Sequence, residues 1–205
     1  MRTDKAGAFL DDGSAIGAAL EAMILKGASL SGHERNRVFM QTRGEGGIRF
    51  ADASAVSGLD GLGDGRSFAW LDMNRDGRRD IALTNANQPR VQIFRNQHTT
   101  AHRVLALRLI GAKSDAKSTP AGASNRDAIG ARVEVVAGGV LRVAELRAGE
   151  GLAAQNSAEL LIGLGAAPSV TSIRVRWPSG RETTLKNPDL APQGRTAMTL
   201  REPAL

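Results

Sequence analysis

Cysteine is absent from the 205 residues. That excludes a disulfide frame, a thiol nucleophile, a thiolate zinc site and an iron–sulfur cluster. Tyrosine is absent too, and aromatic residues reach only 3%. A core must therefore come mainly from Val, Ile, Leu and Ala, and the few Phe and Trp are too scattered to form a base-stacking platform. No stretch approaches the roughly 20 apolar residues that span a bilayer, so no membrane insertion is expected. The opening "MRTDKAGAFLDDGSAIGAALEAMILKGAS" carries Arg2 and Lys5, but Asp11 and Asp12 interrupt the apolar segment that a signal peptide requires. No export signal is therefore expected in this opening segment.

Charge is present in excess of one sign, with a net +6. Arginine and lysine are nevertheless spread from Arg2 to Arg201, and no run forms a basic block. This distribution describes a solvated arginine-rich surface and gives no reason to expect a nucleic-acid partner. Hydrophobic residues at 41% and charged residues at 23% are ordinary for a folded protein. Length allows one large domain or two modest ones.

Residues 14–26, "SAIGAALEAMILK", suggest a short helix with Ser14 as N-cap and Gly27 as its stop. From residue 38 onward the pattern becomes short β-type runs separated by turn residues. "SFAWLDM", "DIALTNAN" and "RVQIFRN" predict a meander. "HRVLALRLIG", "ARVEVVAGGVLRVAELRAG", "AELLIGLG", "SVTSIRVRWPSGRETTLKN" and "TAMTLRE" predict an all-β second half. Gly138-Gly139 suits a two-residue hairpin turn, and Pro178-Ser179-Gly180 a second tight turn. In "SIRVRW", Ile173, Val175 and Trp177 alternate with Arg174 and Arg176, as in a strand with one buried and one wet face. The expected organisation is a helical segment over 1–30, a meander over 31–97 and a β domain over 98–205. The polar 112–128 stretch reads as a long surface loop of that last domain.

"LDMNRDGRRDIAL" holds the densest chemistry. Asp72, Asn74 and Asp76 stand two residues apart, Gly77 follows, and Asp80 comes three further on. Carboxylates so close repel one another unless a cation lies among them, and alternate oxygen side chains around a glycine turn suit calcium, which takes several oxygen ligands at about 2.3–2.6 Å. The expected ligands are the side chains of Asp72, Asn74, Asp76 and Asp80 with the main-chain carbonyl of Arg78. An EF-hand is excluded because its twelfth position, a bidentate Glu, is Leu83 here. Magnesium fits less well, since it prefers few carboxylates and retained waters. The side chains of Arg75, Arg78 and Arg79 are expected to point outward. The competing reading is an Asx-rich turn whose side chains cap backbone amides.

The stretch from "SGHERNRVFMQ" through "FAWLDMNRDGRRDIALTNANQPRVQIFRN" resembles an FG-GAP or VCBS-type β-propeller repeat. "SNRDAIGARVEV", "AGEGLAAQNSAELLIGLG" and "VRWPSGRETTL" then resemble the ASPIC/UnbV domain that follows such repeats in the C-terminal part of cartilage acidic protein-like proteins. The resemblance runs from about Ser31 to Lys186. It implies a mainly β fold: a partial propeller-type meander, unable to close a propeller without further blades, followed by a C-terminal β-sandwich or barrel-like domain, after the short N-terminal helix. It also implies a non-catalytic, calcium-binding interaction or adhesion module of extracellular or periplasmic location, with Asp72, Asn74, Asp76 and Asp80 matching the family's metal positions. The sequence departs from the family at "LLIGLG", where an aromatic often precedes the glycines, and lacks a full set of upstream repeats. The alternative is an accessory or C-terminal part of a larger carbohydrate-active or other enzyme.

A recognition turn is a weaker candidate at Asn125, Arg126 and Asp127, with Gln155 and Asn156 as amides of the kind that meet sugars. Turn chemistry is the favoured reading of Asn125, Arg126 and Asp127, and a polar corner between strands explains Gln155 and Asn156 as well as a sugar does. Catalytic templates fail: "HERNR" lacks a second His, "SDAK" at Ser114–Lys117 lacks its companion motifs, and "GLGDGR" and "GLGAAP" miss the third glycine of a dinucleotide fingerprint. The expected partner is a protein or a glycan, with a homodimer left open by the uncovered edge of the meander.

Overall fold

The computed structural model describes residues 15–44, 46–99, 101–112 and 122–204. Ser14, the Ser114–Lys117 stretch and most of the polar segment before residue 122 lie outside them. The molecule is mainly β, with several sheets and a short N-terminal helix, and the described residues form no closed barrel. Its contacts divide it into two compact units, Met1–Phe68 with Ala82–Phe94, and Ala69–Ile81 with Arg95–Leu205.

In the first unit, helix α1 covers 15–25. It stops where expected: Gly27 is left-handed at φ 93, its N–H donates to the Ile24 carbonyl at 2.9 Å, and the Ala28 N–H donates to Met23 at 3.0 Å. These are the paired bonds by which a left-handed residue satisfies a helix's last carbonyls. Strands β1 (Phe39–Gly44) and β2 (Gly47–Asp52) form an antiparallel hairpin. The one-turn helix α2 (Ser54–Ser57) follows. Strands β3 (Gly65–Leu71), β4 (Asp80–Asn85) and β5 (Val91–Phe94) form the expected meander.

What this unit buries is polar. Among its described residues the buried side chains are Ser54, Asp64, Asn85 and Asn87. Asp64 accepts hydrogen bonds from the hydroxyls of Ser29 (2.5 Å) and Ser31 (2.6 Å) and from the Leu30 N–H (2.6 Å). These bonds hold its carboxyl far below the usual carboxylate range, the Ser29 hydroxyl contributing most. Apolar side chains instead lie exposed: Ile16 and Met23 on α1, Phe39 and Met40 on β1, Ile48 and Phe50 on β2. A two-stranded hairpin has no second layer of its own against which to bury them.

The second unit has a conventional apolar core between two sheets. Strands β6 (Arg103–Ile110), β9 (Glu159–Gly165) and β12 (Arg195–Arg201) form one sheet in the order β12-β6-β9. Strands β7 (Arg132–Ala137), β8 (Val140–Glu145), β10 (Val170–Arg176) and β11 (Glu182–Lys186) form the other, β11-β10-β7-β8. Leu105, Leu107 and Leu109 from the first sheet pack with Val133, Val135, Ile173, Val175 and Trp177 from the second. Burying each such side chain contributes about 1.5–3 kcal/mol. The arrangement is a β-sandwich. Ile173, Val175 and Trp177 are buried, as the alternation read from the sequence requires, and Gly138 and Gly139, at φ 56 and 74, make the tight β7–β8 turn. Strand β12 pairs parallel with β6, from Arg195 opposite Val104 to Arg201 opposite Ile110, a partnership no local pattern announces.

Two buried ions fasten the sandwich. Arg103 donates to the carbonyls of Ala191 (3.0 Å), Ala167 (3.0 Å), Pro168 (2.9 Å) and Leu190 (3.3 Å), tying two loops to the start of β6. At the far end, Glu202 accepts from the N–H groups of Ala112 (2.7 Å) and Ser124 (3.1 Å) and from the hydroxyls of Ser124 (2.9 Å) and Ser179. Burial pushes the Glu202 carboxyl up, but the hydrogen bonds from Ser179, Ala112 and Ser124 together outweigh it and hold the group below its ordinary value.

Candidate functional site

The acidic loop is wound from its own sequence. Asp72 Oδ1 accepts the Asp76 N–H and Oδ2 the Gly77 N–H, both at 2.9 Å. Arg75 and Gly77 are left-handed, at φ 59 and 85. Left-handed positions on either side of Asp76 curl the chain tightly, and a Cβ on Gly77 would meet those of Arg195 and Val104 at 3.3 Å. Both the turn and the close approach therefore call for glycine. Inside the curl, the Asn74 amide donates to Asp76 Oδ2 at 2.6 Å, and Asp76 Oδ1 accepts the Arg78 N–H at 2.9 Å. Asp80 closes the loop from below: fully buried, it accepts the Met73 N–H at 2.9 Å and the Asn96 N–H at 2.8 Å.

The charge of this loop is balanced by arginines. Arg78 turns inward, with its guanidinium on Asp76 and its Nε donating to the Asn96 carbonyl at 2.9 Å. This corrects the expectation that it points outward: a carboxylate two residues away and a free carbonyl outweigh its hydration. Arg79 also folds back, donating to the Leu161 carbonyl at 3.2 Å. Burial raises the Asp76 carboxyl, but Asn74, the Arg78 N–H and the charges of Arg78 and Arg95 hold it below its ordinary value.

Arg195, at the start of β12, joins the loop to the sandwich. Its Nη2 donates to both oxygens of Glu159 at 2.7 Å. Its Nε lies 3.3 Å from Asp72 Oδ2, an ion pair without an aligned hydrogen bond. Sequence reasoning missed Arg195 and Glu159, and no local signal marks them, since the three partners come from distant strands. The loop thus lies on the sheet β12-β6-β9, with Gly77 against Val104.

The donor set suits calcium in its chemistry: every candidate atom is an oxygen, and a carboxylate that accepts one or two N–H groups keeps further lone pairs. Asn74 would present its oxygen after an amide turn. Among the described residues, no three His, Cys, Asp or Glu side chains stand together as a ready cage, and Arg78 holds the place beside Asp76.

The other candidates have structural employment. Asn125 bonds both the N–H and the carbonyl of Ile129 at 2.9 Å, while Arg126 and Asp127 form an exposed pair. Gln155 accepts the Gly149 N–H at 2.7 Å and donates to the Arg147 carbonyl at 3.3 Å. Asn156 accepts the main-chain N–H of Trp70 at 2.8 Å and donates to Glu150 at 2.5 Å. Gln155 and Asn156 thereby fold the 147–157 loop, which with Trp70, Asp72, Arg79 and strands β8 and β9 borders a cleft of about 330 Å³.

A two-layer β module, with its long loops pinned by amides and buried ions, is the class that this unit defines. Residues 121–203 match the family described as ASPIC and UnbV. An ASPIC/UnbV domain is therefore present there, belonging to a family of C-terminal modules of non-catalytic appearance. The match begins after β6, although β6 is the central strand of its sheet and supplies core leucines. No curated protein matches the chain.

Proposed function

We propose that the protein is a non-catalytic, calcium-binding interaction module, in which residues 31–97 form an FG-GAP/VCBS-type repeat and the calcium loop fixes the turn between β3 and β4. The observation that carries this reading is the winding of residues 72–80. Asp72 gathers the N–H groups of Asp76 and Gly77, and Asn74 and Asp76 meet within the curl. Asp72, Asn74, Asp76 and Asp80, with the Arg78 carbonyl, would hold the ion. Bound calcium would supply positive charge to these carboxylates; Asn74 would have to present its amide oxygen, and Arg78 would have to give up its contact with Asp76. The exposed Phe39, Met40, Ile48 and Phe50 of the β1–β2 hairpin support an interaction role, because apolar groups clustered at a surface favour contact with a partner. Action outside the cell or in the periplasm accords with millimolar calcium sites of extracellular modules.

The test is thermal unfolding in excess calcium and in chelator, for the parent chain and for Asp76→Ala. An ion that binds only the native state stabilises it by about 2.7 kcal/mol at a hundred times its Kd. The parent Tm should rise with calcium and that of Asp76→Ala should not. Superimposable parent curves would reduce the loop to a turn neutralised by Arg78 and Arg195.

A further inference from the structure

A sheet that does not close on itself ends in strands with a row of unpaired backbone groups, a template for another chain. In the sandwich these are β11 and β8 of one sheet and β12 and β9 of the other. Among the described residues, none of the large exposed apolar side chains lies on β9, β11 or β12, and Arg79 occupies the Leu161 carbonyl of β9. Strand β8 differs. Its Val140, Leu141 and Val143 are 54%, 56% and 49% exposed, and it holds no proline, no lysine and no bulge against β7. We infer that β8 pairs with the β8 strand of a second copy of this chain, in an antiparallel two-fold dimer. The surface lies within the ASPIC/UnbV match and the inference does not depend on the calcium reading.

The turn before β8 fixes which of its backbone groups are free. Gly138 and Gly139 are both left-handed, as in a type I′ turn, where the Val140 N–H bonds the Ala137 carbonyl. Alternation then directs the backbone groups of Val140, Arg142 and Ala144 to β7, and those of Leu141, Val143 and Glu145 to the open edge. Among the described residues β7 is the one strand paired with β8. The side chains of Leu141 and Val143 share the outer face of the sheet, across from Val136 and Glu134 of β7, while Ala144 packs against the core.

Register decides the occupant. A partner strand must set an apolar side chain opposite each of Leu141 and Val143, and β8 turned end for end does so. A two-fold axis at Arg142 sets Leu141 against Val143 of the second copy, and Val143 against its Leu141. Both residues face the edge, so each pair exchanges both of its backbone hydrogen bonds. Sliding by two residues would set Leu141 against Glu145 or Val143 against Gly139, and sliding by one would oppose edge groups to groups already bonded to β7. Arg142 meets its own copy on the inner face without a clash of charge, because its guanidinium is drawn back onto the carbonyls of Ala137 (3.1 Å), Val140 (3.2 Å) and Leu164 (3.1 Å). One strand and a few half-exposed side chains are little beside the ~800 Å² per partner of a standard complex. The dimer is therefore weak, with a Kd on the order of 10–100 μM.

Sedimentation equilibrium of the full chain tests the inference, over about 1 to 300 μM so as to bracket that Kd. The mean mass should climb from monomer towards dimer, in calcium and in chelator alike. Val143→Lys sets an ammonium against Leu141 of the second copy and should weaken association at least tenfold, while keeping the parent's circular dichroism. Phe50→Lys, on the apolar β1–β2 hairpin, should leave association unchanged. The chain has no cysteine, so the thiol in Arg142→Cys has only its own copy to meet. The Cα atoms of such a non-hydrogen-bonded pair lie about 4.5 Å apart, within disulfide reach, and mild oxidation should give a covalent dimer that Val143→Lys suppresses. If Val143→Lys misfolds, Leu141→Lys carries the comparison. A parent that stays monomeric throughout, association undiminished in the folded β8 variants, its loss in Phe50→Lys alone, or no cross-link through residue 142 would overturn the assignment. Failure of the calcium reading shows separately, as a Tm indifferent to calcium, and leaves the dimer to be seen in both buffers.

Discussion

Replacing Glu202 by glutamine preserves size and removes one charge from the centre of a buried network. Glu202 Oε2 accepts two backbone N–H groups, at 2.7 and 3.1 Å, and these donors cannot reverse. The hydroxyls of Ser124 and Ser179 face Oε1 and can rotate to accept instead. The introduced amide will therefore keep its carbonyl on the backbone and turn its NH2 to the hydroxyls. What is lost is the ionic share of each bond: hydrogen bonds to a charged acceptor contribute about 1.5–3 kcal/mol, against about 0.5–1.5 for neutral ones. Arg181, 3.4 Å from Glu202, also loses its counter-charge. A net loss of about 2–3 kcal/mol is expected, hence a Tm lower by roughly 10 °C. The folded pKa of Glu202 lies below its ordinary 4.5, so its contribution is fully present above that value and fades as pH falls through the folded pKa. Scanning calorimetry should show a gap between parent and Glu202→Gln that is constant from neutral pH to about 5 and narrows below about 4.5. A variant melting with the parent at pH 7, or a gap indifferent to acid, would refute the reasoning.

Arg103→Lys keeps the charge but replaces a planar fork by a point donor, which cannot reach the carbonyls of both the 167–168 and 190–191 segments. A loss of about 2 kcal/mol is expected, read as a lower urea midpoint at unchanged slope. In Gly111→Ala the new Cβ would sit 1.9 Å from the Asn125 carbonyl oxygen, a backbone atom that cannot swing aside. A loss of about 3 kcal/mol or more is expected, measured by urea unfolding of whatever soluble protein is recovered.

The features legible in the sequence were those whose cause is local. Period-two alternation in "SIRVRW" placed Ile173, Val175 and Trp177 inside, because a strand sends successive side chains to opposite faces. Gly138-Gly139, Pro178-Ser179-Gly180 and Gly27 marked turns and a helix end, because few residues tolerate those backbone angles. The spacing of Asp72, Asn74, Asp76 and Gly77 announced a tightly wound oxygen-rich loop for the same kind of reason. Asn125, Gln155 and Asn156 were visible as polar corners, yet the sequence could not say whether their amides face a ligand or the backbone. In the structure Asn125 and Gln155 meet backbone groups, whereas Asn156 divides its amide between the Trp70 N–H and the Glu150 carboxylate.

Tertiary structure alone decided what surrounds these local pieces. Strand β12 runs parallel to β6 and so brings Arg195 to Asp72 and Glu159, residues that share no periodicity and no neighbourhood along the chain. Arg78 faces inward because Asp76 and the Asn96 carbonyl converge on it, whereas composition alone assigned it to solvent. Trp70, Glu150 and the 160–161 leucines become a cleft only when β9 and its preceding loop fold beside the end of β3. Turns and alternation depend on angles and steric limits a few residues long. Charge pairing and concavity depend on which strands become neighbours, and that is set by the whole core.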